Sequence, residues 1–220
     1  MGFRTGFVLS AVAFQFGVIY MASIYDFPLL YGSSLSSTES LEAADRAEFF
    51  YLGLFKAPAA VPALLHGMIG LGIVGLLAKL HRWTEIAKWF DGAAIVLYVG
   101  ALSMYLTVSM PTIRLLADPN NEALLARSSL ATQRSTLAAR AEAGQLDATL
   151  VPSGPLTASE RVDALRIIGA TNTIIILLLA GVLLMQGTEW WLERAERLEK
   201  KAIRDKEMSE LKLSKAGKDQ

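Results

Sequence analysis

In the apolar parts of this 220-residue sequence, few side chains are of types that transfer protons, bind metals or act in catalysis. His66 is the one that titrates near neutrality, and a histidine within an apolar span has the chemistry to relay protons or bind a metal. No acidic residue accompanies it in any charge-free stretch, and the second histidine, His81, lies outside these stretches. The sequence therefore predicts neither a metal site nor a proton path at His66.

Three side-chain amides, those of Gln15, Asn172 and Gln186, also lie in apolar stretches. At such positions an amide more often joins two helices by a hydrogen bond than binds a substrate. The sequence has no cysteine, which excludes disulfides, thiolate metal sites and cysteine nucleophiles. It contains no nucleophile–base pair, phosphate-binding loop or paired carboxylates. We therefore expect a protein that is not an enzyme and binds no cofactor.

Four charge-free stretches dominate the chain, at about residues 5–25, 57–78, 92–113 and 167–188. None of the 21 acidic and 21 basic residues lies inside them. A charge at the centre of a membrane span costs about 2.5–3.5 kcal/mol, so a bilayer demands this segregation. A helix of about 22 residues reaches about 33 Å and crosses a hydrocarbon core of about 30 Å. The sequence predicts an all-α polytopic membrane protein with four transmembrane helices.

The basic residues near the span ends predict how the chain is oriented. The short connection 79–91 carries three bases, and the tail 189–220 carries nine. Loop 26–56 has five acids against two bases, and loop 114–166 is balanced with six of each. Because basic residues near span ends favour the cytosol, we expect the connection, the tail and both termini on the cytosolic side. The two loops then lie on the opposite side.

Local patterns predict where several elements start and stop. Residues 36–39 and 157–160 fit capping boxes, residues 118–121 (DPNN) fit a turn, and Gly144 fits a helix stop. We expect the third span to end near Pro111. A short helix is expected between the first two spans, and two interpretations of it remain open. It either lies on the membrane surface or is a solvated connection.

The second span is rich in glycine, with Gly67, Gly70, Gly72 and Gly75. Small residues let helix backbones approach closely, which matters because lipid provides no hydrophobic drive between helices. Ordinary packing within the bundle is one interpretation, and the composition favours it. A groove that holds a partner helix is the other.

Several short motifs carry a family resemblance. They are residues 25–31 (YDFPLLY), residues 72–80 (GIVGLLAKL), and residues 89–92 (WFDG) with 97–100 (LYVG). In this order and spacing they resemble the fungal endoplasmic-reticulum membrane chaperones that let amino-acid permeases fold and enter coated vesicles. The resemblance covers all four spans and the charged tail.

The resemblance implies a non-enzymatic chaperone of the endoplasmic-reticulum membrane, with loop 114–166 as a long lumenal loop and a charged cytosolic helix in the tail. Its partners would be amino-acid permeases and membrane lipid, with vesicle-coat components at the cytosolic face. The net charge of zero predicts no nucleic-acid partner. The candidate helix-contact or family-motif positions are Tyr25, Asp26, Phe27, Gly67, Gly70, Gly72, Gly75, Lys79, Asp91 and Tyr98.

Two features depart from the family pattern. Loop 114–166 is longer, and the chain ends Gly-Lys-Asp-Gln, so Lys218 lacks the neighbouring lysine of a dilysine retrieval signal. Two other functions also remain open on the residues alone. One is a non-catalytic stabilising subunit of a membrane enzyme or transporter complex, and the other is a small-solute carrier or channel that uses His66.

Overall fold

A computed structural model describes residues 3–32, 37–81 and 85–216, and it contains no strand among them. The described residues form eight α-helices, with a π turn at Tyr105–Ser109 and a 3-10 turn at Ala148–Leu150. The helices are α1 (Phe3–Tyr31), α2 (Ser37–Phe55), α3 (Ala60–Leu80), α4 (Glu85–Met104), α5 (Met110–Ala117), α6 (Glu122–Ala126), α7 (Ser129–Glu142) and α8 (Ala158–Ala216).

Four helical stretches are long and apolar enough to cross a membrane. They are Thr5–Tyr31, Ala60–Leu80, Lys88–Ala117 and Ala158–Ser209. The prediction of an all-α protein with four membrane-spanning helices is confirmed. The helices also extend beyond the charge-free stretches, since helix formation depends on backbone hydrogen bonds and does not stop where the charges begin.

The third membrane helix does not end near Pro111, as the sequence suggested, but continues to Ala117. Pro111 is the second residue of α5, which begins directly after the π turn. A proline lacks the N–H that an α-helix interior needs, and the start of a helical segment tolerates this loss. A new α-helical segment thus starts after the π turn, with the proline in its first turn, and the third membrane helix remains continuous.

Helix α8 is the longest element, with 59 residues and a length of about 88 Å. Its start confirms the second predicted capping box. The Thr157 hydroxyl accepts from the Glu160 N–H at 3.3 Å, and the Glu160 carboxylate accepts from the Thr157 N–H at 2.9 Å. The residues of the first predicted capping box include Ser36, which lies outside the described part of the chain.

Helices α1 and α8 lie at the centre of the bundle. Helix α8 packs against α1 and α4, and α1 also packs against α3 and α2. Successive membrane helices run antiparallel, because Gly75 of α3 meets Val8 of α1 and Gln186 of α8 meets Asp91 of α4. The apolar core has two parts, one within the spans and one under α2 and α5.

Helix α2 docks onto the bundle through one face. Ala43, Ala44, Ala47 and Tyr51 are buried on that face, whereas Phe49 on the other is 83% exposed. The Arg161 guanidinium of α8 pairs with Asp45 and Glu48 and fixes this arrangement. Of the two interpretations offered for this segment, neither included a face buried against the spans, because the sequence does not show which helices it meets.

The segment between α5 and α8 is a pair of short helices and turns. The Asp118 carbonyl accepts from the Asn121 N–H at 3.2 Å, which confirms the predicted turn. Gly144 follows α7 with a φ of 70°, which confirms the predicted helix stop. The Arg134 side chain of α7 donates to Glu160 at 2.5 Å and 2.7 Å and to the carbonyls of Gly154 and Pro155. These hydrogen bonds to Glu160 raise the pKa of Arg134 and tie the segment to the start of α8.

Candidate functional site

Helix α3 divides into two halves that differ in burial. The closed half, residues 71–80, holds the buried residues Gly72, Gly75, Leu76 and Lys79. No residue of the open half, residues 60–70, all of which the structure describes, is buried. The candidate glycines are therefore split between two environments.

The two glycines of the closed half lie where other helices approach α3 most closely. A Cβ added at Gly72 would lie 2.3 Å from the Tyr98 Oη of α4. A Cβ at Gly75 would lie 2.8 Å from a Val8 methyl carbon of α1. Both distances are too short for a real side chain, so these two positions serve the internal packing of the bundle.

Tyr98 connects three helices through its hydroxyl. The Tyr98 hydroxyl accepts from the Gln15 amide of α1 at 2.5 Å and donates to the Ile69 carbonyl of α3 at 3.0 Å. Gln15 also donates to the Met68 carbonyl at 3.3 Å. The interpretation of Gln15 as an interhelical hydrogen-bond partner is confirmed, and Tyr98 is fixed in place beneath Gly72.

A buried charged cluster closes the end of the bundle where α3 meets α4 and α8. We call Lys79, Asp91, Gln186 and Glu189 the Lys79 cluster, and each is at most 4% exposed. The Lys79 ammonium donates to Gln186 and Glu189 and lies 3.1 Å from Asp91, while the Gln186 amide donates to Asp91 at 3.0 Å. One cation and one amide thus join two carboxylates from different helices.

Glu189 is a member of this cluster that the sequence alone does not reveal, because it is the first residue of the charged tail. Its spacing from Gln186 was the signal that could have found it. Residues three apart in a helix share a face, so an amide already expected to face another helix implies that the acid also faces inward. Gln186 itself was expected to join two helices, and this is confirmed.

A second buried polar cluster lies at the other end of the bundle. We call Asp26, Tyr51 and Asn172 the Asp26 cluster, from α1, α2 and α8. The Tyr51 hydroxyl donates to Asp26 at 2.5 Å, and the Asn172 amide donates to Asp26 at 2.9 Å and to Tyr51 at 2.8 Å. Burial raises the pKa of Tyr51, so its hydroxyl keeps the proton that it donates. The expectation that Asn172 joins two helices is confirmed.

The neighbours of Asp26 in the first motif point in other directions. Tyr25 stacks on Phe50 of α2, with ring centroids 4.6 Å apart and an interplanar angle of 16°. Phe27 is 46% exposed and meets Tyr31 edge to face at 5.6 Å. The motif therefore anchors α2 on one side and presents aromatic rings outward on the other, as is usual at a membrane interface.

The glycines of the open half have free space around them. A Cβ added at Gly67 or Gly70 would meet nothing within 4 Å. Ala63, Gly67 and Gly70 are spaced at i, i+4 and i+7, so they share one face of α3. All three residues are exposed. The candidate positions Gly67 and Gly70 therefore do not take part in the internal packing that uses Gly72 and Gly75.

His66 lies in the open half, near the π turn. Its Nδ1 donates to the Pro62 carbonyl at 2.6 Å, which leaves Nε2 as an acceptor 3.5 Å from the Tyr105 hydroxyl. The described residues contain no group of three or more His, Cys, Asp or Glu side chains that could hold a metal ion. His66 thus has one firm partner and an accessible second nitrogen.

A comparison with known protein families finds one model that matches this chain. It is the model of the SHR3 chaperones, described as "ER membrane protein SH3", and it matches residues 1–220. No curated protein and no solved structure matches. The family match covers both halves of α3 and both polar clusters.

Proposed function

The chain belongs to the SHR3 chaperones, a family of membrane proteins of the endoplasmic reticulum, and from this premise we propose that it assists the folding and coated-vesicle packaging of amino-acid permeases. In this proposal the outward face of the open half of α3 contacts the transmembrane helices of a permease before they have packed together. The clients of a membrane chaperone are membrane proteins, and the motif resemblance favours permeases among them.

The observation that carries the proposal is the free space around Gly67 and Gly70. A glycine within a helix costs about 1 kcal/mol of stability relative to alanine. At Gly72 and Gly75 the cost is offset by close approach within the bundle, but no described residue approaches Gly67 or Gly70. A helix from another protein that packs against these positions would use the close approach that a glycine allows.

The bundle supports this contact by holding α3 through its closed half and through the inward side of its open half, where the carbonyls of Met68 and Ile69 accept hydrogen bonds. The Lys79 cluster and the two closed-half glycines fix residues 71–80 against α1, α4 and α8. The outward face of residues 60–70 is left for a partner within the membrane. Close contact at a lipid-exposed glycine, without strong polar bonds, gives moderate affinity. A client helix can therefore bind to this face and dissociate from it.

We place both termini in the cytosol and loops 26–56 and 114–166 in the lumen. The basic residues of the connection and the tail support this orientation. The spans at about residues 5–25, 57–78, 92–113 and 167–188 would then lie in the bilayer, and the tail would lie where coat components assemble. The exposed charged surface of α8 beyond the span supports a role for the tail at that face.

Deletion of the protein in fungal cells tests the function. Amino-acid permeases should accumulate in the endoplasmic reticulum, while other secretory cargo leaves normally, and microscopy of tagged permeases together with amino-acid uptake measures both. Normal delivery of permeases would contradict the role in permease export. Purification with one stoichiometric partner that is not a permease would support the alternative of a stabilising subunit.

Substitution of the open-half glycines tests the surface. The double variant Gly67→Leu, Gly70→Leu should keep the protein folded and in the endoplasmic reticulum but trap permeases there. The matched control is Gly17→Leu, because Gly17 is also an exposed helical glycine with open space at its Cβ. If the double variant delivers permeases as well as the control does, another surface of the protein contacts the client.

The orientation is tested with single cysteines, since the sequence has none of its own. Ser153→Cys lies in the predicted lumenal loop, and Ser209→Cys lies in the predicted cytosolic tail, and both residues are exposed. In sealed microsomes an impermeant maleimide should label only the tail cysteine. Labelling of only the loop cysteine would show that the protein has the opposite orientation in the membrane.

A further inference from the structure

A narrow cavity lies between the open half of α3 and the rest of the bundle. Its volume is about 220 Å³, and it is lined by residues of α1, α2, α3, α4, α5, α8 and the π turn. Tyr98 lies deep in the bundle at one part of the lining, and Phe50 and Phe55 of α2 form another part. The exposed His66 stands at the rim, so the cavity is partly open to the membrane.

The length and the lining of the cavity indicate which occupant suits it. From Tyr98 to Ser109 the lining follows about 16 Å of helix. The lining comes from seven elements and is mostly apolar, which suits a slender, flexible apolar chain.

One polar group in the lining lacks a partner. Ser109, at the end of the π turn, is 2% exposed, and its hydroxyl has no hydrogen-bond partner among the described residues. The nearby hydroxyls of Thr107 and Thr112 both donate to their own helix, to the carbonyls of Ser103 and Val108 at 2.7 Å. A buried hydroxyl without a partner costs about 1–3 kcal/mol, and π turns occur frequently at functional sites.

The position of Ser109 along the span indicates the chemistry of its partner. Ser109 lies about 27 Å of helix from Asp91, so it sits near the opposite end of the hydrocarbon layer. The exposed rings of Phe49 and Tyr31 belong to elements at the same end, as expected at a membrane interface. An amphiphile with one polar group at the interface and an apolar body would match this arrangement, because most of the lining is aliphatic or aromatic.

We propose that this cavity binds one acyl chain of a membrane lipid. The chain extends between α1, α3, α4 and α8 towards Tyr98, and an ester oxygen of the lipid accepts a hydrogen bond from the Ser109 hydroxyl. The bound chain fills the space behind the open half of α3 and supports that half from within. This inference does not rest on the client of the outward face, which lies on the other side of α3.

The test uses the full chain in nanodiscs of phosphatidylcholine that carries a photoreactive diazirine in one acyl chain. After irradiation, mass spectrometry should find about one adduct per protein, with the label on cavity-lining side chains such as Leu102 and Ile69. Leu65→Trp fills the cavity and should reduce this labelling several-fold. The control Leu64→Trp places the same ring on the neighbouring exposed residue, which does not line the cavity, and should leave labelling unchanged.

The polar contact is tested separately with a variant that removes only the hydroxyl. Ser109→Ala should weaken lipid retention in native mass spectrometry by about two- to tenfold, the value of one neutral hydrogen bond. Ser103→Ala, on the exposed side of the same helix, should not change retention.

Three outcomes would overturn the proposal. Labels spread evenly over outward-facing residues would show ordinary annular lipid. Equal labelling of Leu65→Trp and the wild-type protein would show that the cavity is not the site. Cross-links from the lining to a client protein would show that a side chain of the client fills the cavity.

Discussion

The closed half of α3 is held by contacts with three helices, whereas the open half, one continuous helix with it, leaves its outward face free and a cavity on its inward face. Both halves are apolar and rich in small residues. They differ in what surrounds them, because the closed half ends at a buried ion cluster and the open half ends at the connection to α2.

The difference suggests a division of labour within one hairpin. A surface that receives another helix must be accessible, and an accessible apolar helix gains little from its own bundle. The closed half supplies the missing stability through burial, close approach and charge pairing. The open half can then stay exposed without unfolding.

Removal of the Lys79 charge should have the largest effect. Lys79→Met leaves Asp91 and Glu189 buried together without a cation, which should lower the free energy of unfolding by about 3–5 kcal/mol. Thermal unfolding in detergent, followed by tryptophan fluorescence, measures the loss. Lys56→Met is the control, because Lys56 is exposed beside the open half.

The same cluster offers a second variant that tests the cause. If charge imbalance explains the loss, Lys79→Met combined with Asp91→Asn and Glu189→Gln should recover much of the stability. A Lys79→Met protein as stable as the Lys56→Met control would contradict the view that the closed half is held by this cluster.

The Asp26 cluster should show an intermediate effect that does not involve α3. Asp26→Ala removes the acceptor of Tyr51 and Asn172, and leaving a buried donor unsatisfied costs about 1–3 kcal/mol. Hydrogen exchange should therefore speed up in α2 and in the first half of α8. Asp26→Asn keeps one acceptor oxygen and should lose less. Faster exchange confined to α3 would show that this cluster supports the open half directly.

Alanine at the glycines should change stability in opposite directions in the two halves. Gly72→Ala places a methyl group against Tyr98, whose hydroxyl is fixed by Gln15 and Ile69, and should cost about 1–3 kcal/mol. Gly70→Ala meets no atom and should stabilise the helix by up to about 1 kcal/mol. Detergent unfolding of the two variants gives the signs directly. Equal destabilisation by both would remove the distinction between the halves.

The four spans were predictable because each one is a continuous stretch of the sequence without charged residues. The Thr157–Glu160 capping box, the turn at residues 118–121 and the stop at Gly144 were predictable for the same reason, since each depends on a few neighbouring residues. These signals need no knowledge of which helices meet.

The contacts of the candidate site were much less predictable, because they depend on partners far apart in the chain. Nothing within residues 57–78 distinguishes Gly70 from Gly72, and only the position of Tyr98 on α4 separates them. Glu189 precedes two tryptophans and a charged tail, so local composition suggested a solvated residue. The lack of a hydrogen-bond partner for the Ser109 hydroxyl depends on the π turn, which no local sequence motif predicted.

The smallest effect is expected where charges pair in solvent beyond the closed half. The Glu196 carboxylate and the Lys200 ammonium form an i,i+4 ion pair at 3.4 Å on α8, with side chains 49% and 74% exposed. Glu196→Gln should change the free energy of unfolding by only about 0.3–0.5 kcal/mol, because water screens the pair. Lys79→Met and Glu196→Gln each remove one member of an ion pair that involves α8. Because only the Lys79 pair is buried, the difference between the two losses of stability measures the effect of burial. A loss above about 1 kcal/mol for Glu196→Gln would mean that the tail also stabilises the bundle. The closed half would then extend past Glu189 into the tail.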